Sequence, residues 1–237
     1  MKNTIKMIGR LAVYLVGLVV IGLGINISRL SALGIAPVSS TPAVLQDIFP
    51  KLTLGSTIMI VYFILILLQI IVLRKSFQPK NLLGIVVAVI FGWITDFVGI
   101  KTFTLQIAGW TVWDKEWDGL LMAFPKPANI GLQFVYLAAS ILIIGIGVFI
   151  YLRPNLVPMP AEGLAGAIAQ KSGKAFGNCK TIVDVCLISL AVILQVATKG
   201  FGSLWIGKGT VGIGTICAAV LVGQVVKFLH RIFPKKG

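Results

Sequence analysis

Six long apolar runs set the terms for everything this chain can become. They cover about 11–28, 54–73, 82–100, 131–152, 181–198 and 211–229. A run of 18 or more apolar residues is long enough to cross a bilayer as a helix. In lipid the backbone must satisfy its own hydrogen bonds, so such a run is helical. The six runs use most of the 237 residues and leave no room for a soluble domain. Charged residues make up only 12% of the chain, about half the usual share of a soluble domain. The expectation is an all-α membrane protein, with 1–237 as one integral membrane domain.

The net charge of +14 would suit nucleic acid, but its distribution points to a membrane. With six crossings and a cytoplasmic N-terminus, fourteen of the 21 basic residues fall on the inner side and seven on the outer. That bias follows the positive-inside rule and places both termini in the cytoplasm. It also suits an anionic inner leaflet. No nucleic-acid partner is expected. Lys2, Lys6 and Arg10 before an apolar run resemble a signal peptide. The run exceeds the usual apolar length and lacks a clear cleavage site, so it reads as an uncleaved first helix. Cys179, Cys186 and Cys217 have no metal spacing. Neither a metal nor a cofactor is expected.

The chain repeats itself. Pro37 placed over Pro160 brings Gly22 over Gly145 and Gly24 over Gly147. Further on, "FGWITDFV" (91–98) matches "VGQVVKFL" (222–229), with Gly92 over Gly223. Each half then holds one long helix, a Pro/Gly-broken segment, and two more helices. The first repeat spans 8–100 and the second 131–233. An outer linker, 101–130, carries the Trp-rich amphipathic "GWTVWDKEWDG". Three crossings per half force the second half to enter from the opposite side. The expected construction is therefore two inverted three-helix repeats, a plan common in secondary transporters.

The broken segments are "ALGIAPVSSTPAVL" (32–45) and "VPMPAEGLAGAIA" (157–169). Proline removes an amide donor and pushes the preceding residue out of helix. The freed backbone groups must be buried in protein or line a wet cavity. Interrupted segments at matching places in two halves point to a solute site. Ser39 and Ser40 in one segment and Glu162 in the other are candidate ligands. The plainer alternative is a pair of surface loops or short interfacial helices. Lys180 and Asp184 lie four apart, on one face of the fifth span. A carboxylate there should face the bundle and pair, because facing lipid costs ~2.5–3.5 kcal/mol. These two join the candidate solute ligands. Asp184, Glu162 and Asp96 are candidates for ion or proton coupling. Gln69 and Gln195 read as amides bonding between helices.

Other motifs carry little. "GKGTVG" (207–212) fits GxGxxG but follows no strand and precedes a membrane span. His230 is the only histidine. There is no HExxH and no nucleophile–base set, so no enzyme is expected.

The Pro160-Ala161-Glu162-Gly163 stretch, "FGNCKTIVDV", "GIAPVSS" and "FGWITDF" together resemble the YitT/YczE-type bacterial integral membrane proteins, and more closely a subgroup of unknown function. The resemblance implies a bacterial cytoplasmic membrane protein and supplies no substrate. The leading expectation is a secondary transporter or permease for a small polar or charged solute. The alternatives are a substrate-capture subunit of a larger uptake complex and a non-transporting membrane regulator or assembly factor. The bilayer and a small solute are the expected partners. A homodimer or an energising subunit stays open.

Overall fold

The computed structural model describes residues 2–99, 103–107, 110–115, 125, 127–204 and 210–234, with the backbone alone for 2–4 and for 103–115. Among the described residues, six helices are long and apolar enough to cross a membrane. They are α1 (Lys2–Leu30), α3 (Leu54–Leu73), α4 (Leu83–Val98), α5 (Ile130–Leu152), α7 (Phe176–Lys199) and α8 (Ile213–Ile232). Two shorter helices, α2 (Pro37–Ile48) and α6 (Pro160–Ser172), cannot span. They take up residues 37–45 and 160–169 of the broken segments, and 32–36 and 157–159 before them are non-helical. The linker departs from an all-α plan: Phe103–Ile107 (β1) and Trp110–Lys115 (β2) pair antiparallel. The rest of the Trp-rich segment and residues 207–209 of the glycine-rich stretch lie outside the described residues.

The short helices start where the sequence chemistry requires. Pro37 and Pro160 each occupy a first helical position, where a missing amide costs nothing. Ala36 and Met159 before them are extended, with ψ of 146° and 150°. α6 ends on Gly173, whose φ of 68° suits glycine, and its amide bonds the Ala169 carbonyl.

α1 and α5 form the central pair. A Cβ on Gly24 would lie 2.6 Å from Ile144, and one on Gly147 would lie 2.7 Å from Ile21. Only glycine allows backbones this close. Partner numbers fall on α5 as they rise on α1, so the two helices are antiparallel. At one end of the bundle Arg10 Nε donates to the Pro154 carbonyl at 3.1 Å. There too Tyr14 donates to the Val157 carbonyl, and Arg153 to the Phe233 carbonyl. This terminal end therefore gathers both ends of the chain and the α5–α6 loop. At the far end Asp47 binds Arg29 at 3.2 Å and Lys199 at 2.9 Å, and accepts from Thr210 Oγ1.

The remaining contacts come in matched sets. α1 packs on α4 as α5 packs on α8; α2 packs on α3 as α6 packs on α7; α2 packs on α7 as α6 packs on α3. α3 also packs along α4, but α7 and α8 share almost no contact. The core holds Leu18, Ile58, Phe91, Ala165 and Ala191. Large apolar side chains such as Ile71, Ile193 and Ile216 are more than 60% exposed on the outer faces. An apolar surface of that extent belongs in lipid rather than water.

Candidate functional site

The space where α7 would meet α8 is a cavity of about 1070 Å³. α7 walls it with Gly177, Lys180, Thr181 and Asp184, and α8 with Ala219, Val222, Gly223 and Lys227. Its deep end is formed by Ala36–Ser39 at the start of α2 and by Met159–Gly163 at the start of α6. Both proline-broken segments therefore converge on one cavity. Lys80, Gln170 and Lys227, all exposed, line it at the terminal end. None of the described far-end residues 46–53, 195–204, 210 and 211 lines it.

"PAEG" supplies the local geometry. Pro160 sets the first turn, which puts Glu162 at the third helical position. At that position a carboxylate lies beside the N-cap amide, and the Met159 N–H favours its charged form. Gly163 leaves room for Gln69, which donates to the Pro160 carbonyl at 2.9 Å; a Cβ on Gly163 would lie 2.8 Å from that amide nitrogen. Gln69 thus pins the break in α6 to α3, the interhelical role its type suggests. Tyr14 and Tyr151 brace the approach to α6: Tyr151 Oη accepts the Met159 N–H at 3.3 Å.

Glu162 has one oxygen, Oε2, that is fully buried and has no hydrogen-bond partner. Burial drives the carboxyl up to about 7; Lys180 opposes the shift, Asp184 adds to it, and the Met159 amide opposes it. The Lys180 ammonium sits 2.6 and 2.7 Å from the two Asp184 oxygens, and both side chains are partly buried. The pair expected from the four-residue spacing is present.

The cavity brings together Glu162, Ser39, Lys180 and Asp184 among the expected site residues. Ser40 does not join them: it is buried behind α2's first turn and donates to the Pro37 carbonyl at 2.6 Å. Asp96 stands apart as well. It accepts the Gly55 N–H at 2.7 Å and the Thr53 hydroxyl, capping α3 near the far end. Lys227, which the alignment of Gly92 with Gly223 sets against Asp96, does line the cavity. Sequence reasoning did not pick out Tyr62, Phe91 or Lys80 as lining residues. Nothing in a single apolar helix marks which face will meet a gap between two others. Among the described residues no cluster of His, Cys, Asp and Glu could hold a metal ion.

Fold and cavity define a multi-pass helical membrane protein with a charged internal site. The chain belongs to a family of unknown function, DUF6198, which matches residues 8–231. It is 27% identical over 223 residues to the uncharacterised protein YyaS of Bacillus subtilis (strain 168), covering 93% of this chain and 90% of that protein. No solved structure matches the chain.

Proposed function

We propose that the chain is a secondary transporter or permease for a small polar or charged solute, working as two inverted repeats in a bacterial cytoplasmic membrane with both termini inside. The observation that carries this reading is the convergence of both proline-started half-helices on one charged cavity. The wider likeness to YitT/YczE-type proteins belongs to the same reading.

The inverted repeat, 8–100 against 131–233, is supported by reciprocal contacts. In the alignment of Pro37 with Pro160, Gly24 matches Gly147 and Ile21 matches Ile144. Gly24 meets Ile144, and Gly147 meets Ile21. A twofold axis demands that exchange. Likewise Gly22 meets Ile94 while Gly145 meets Val225, and these partners are matched by the alignment of Gly92 with Gly223. The α7–α8 contact is the one that breaks the pattern, and the cavity takes its place.

The cavity opens at the terminal end. The far end is closed by Asp47, which ties α2 to Arg29 of α1 and Lys199 of α7. Gln195 adds to this closure by accepting the Thr210 and Val211 amides. This is the arrangement of one access state, and opening the far end while closing α7 onto α8 would make the other.

The test uses a single cysteine at position 39, at the deep end of the cavity, with the three native cysteines replaced. A membrane-impermeant thiol reagent should reach it from either face of oriented vesicles. Labelling from the terminal-end face alone would overturn the transport reading.

A further inference from the structure

Resting on the solute site proposed above, we propose that Glu162 binds the ammonium of an organic amine with an apolar body and exchanges it for a proton. Glu162 Oε2 is buried inside the cavity wall with no donor. A buried carboxylate oxygen in that position calls for a proton or a cation. Lys180 does not fill the role, because both Asp184 oxygens hold its ammonium on their own helix. An anionic solute would have to displace Asp184 first. A cation meets an acceptor already in place.

The other groups around Glu162 fit this class. From α3 comes the Tyr62 ring, stacked on Phe91 of α4 at 6.0 Å between centroids. Both line the cavity and offer an apolar, aromatic surface suited to the body of an amine. Tyr14 of α1 and Tyr151 of α5 face the start of α6. α7 presents Lys180 and Asp184, which neutralise one another. Lys80, before α4, and Lys227 of α8 stand exposed at the mouth, where water and salt screen them.

The exchange balances in charge. The amine arrives protonated and its N–H donates to Oε2. The carboxyl proton leaves to water at the cavity mouth. One positive charge enters and one departs, so the site's net charge is unchanged. The carboxyl titrates at about 7, which lets proton and amine compete near neutral pH.

The test is isothermal titration of the full chain in nanodiscs with 2-phenylethylamine at pH 6, 7 and 8, in buffers of different ionisation enthalpy. 3-Phenylpropanoate, phenylalanine and 2-phenylethanol serve as anionic, zwitterionic and neutral counterparts. The amine should bind best, tightening up to about tenfold between pH 6 and 7, with up to about one proton released at pH 6. Glu162→Gln should weaken it more than about tenfold and abolish both proton release and pH dependence. Glu162→Asp, folded by its thermal transition, should keep the proton release. Amine binding unchanged by Glu162→Gln, binding without proton release, preference for 3-phenylpropanoate or phenylalanine, or no binding by any probe would each overturn the proposal. Two-sided labelling at position 39 is independent of all these outcomes. With it, a failed amine test means a transporter for another class. Without it, amine binding means a receptor that does not transport.

Discussion

The glycine seam between α1 and α5 yields a sharp test of the packing. An alanine at 147 would place its Cβ 2.7 Å from Ile21 Cγ1 and 2.8 Å from the Ile21 backbone nitrogen. An alanine at 24 would meet Ile144 Cγ1 at 2.6 Å and the Ile144 nitrogen at 3.0 Å. Carbon atoms rest at about 3.5–4.0 Å. A side chain could rotate away, but the backbone nitrogen cannot, so the helices must part by up to about 1 Å. Overpacking of this kind costs about 1–3 kcal/mol. Alanine recovers up to about 1 kcal/mol of helix propensity. With the full recovery, the expected net loss for Gly24→Ala or Gly147→Ala is up to about 2 kcal/mol, and the loss relative to a control that gains the same propensity is about 1–3 kcal/mol. Gly9→Ala and Gly131→Ala are the controls, since a Cβ at either site meets nothing within 4 Å. They should be neutral or stabilising. Denaturant titration in detergent, followed by tryptophan fluorescence, reads all four. Gly24→Ala and Gly147→Ala should fall together, because each occupies the other's place across the proposed axis. Seam variants as stable as the controls would refute the close approach; strongly unequal losses would refute the reciprocity.

Three further outcomes are expected. The Glu162 carboxyl is raised from its ordinary 4.5 to about 7, so the folded state holds the proton more tightly than the unfolded chain. Its stabilising contribution is complete below about 4.5 and is lost as pH rises through about 7; the wild type should lose up to roughly 3 kcal/mol relative to Glu162→Gln between pH 4.5 and 7.5, read as diverging thermal midpoints. Lys180→Ala and Asp184→Ala should each lower the thermal midpoint, and the double variant should recover about 1 kcal/mol of the summed loss; strict additivity would show that the pair does not interact. Asp96→Ala should cost about 1–2 kcal/mol through the lost cap on α3 and leave 2-phenylethylamine binding unchanged, and a change in that affinity would place Asp96 in the solute path instead.

What the amino-acid sequence determined by itself is what repeats along the chain. Apolar length alone marks the six spans, because a bilayer admits only backbones that bond internally. Pro37 and Pro160 mark the two breaks, because proline acts locally on its own turn and on the residue before it. The four-residue spacing of Lys180 and Asp184 was enough to pair them. The site was legible only in part, since facing is a property of neighbours. Ser39 lines the cavity while Ser40, next along the helix, turns behind it to Pro37. Asp96 is a coupling candidate by sequence, yet the α3–α4 packing delivers it to Thr53 and Gly55 as a cap. Lys80 and Lys227, far apart in sequence, share one cavity mouth. The cavity itself exists because α8 stands off from α7 where α4 closes on α3. That difference lies in long-range packing between helices of similar composition, and no local pattern along either helix encodes it.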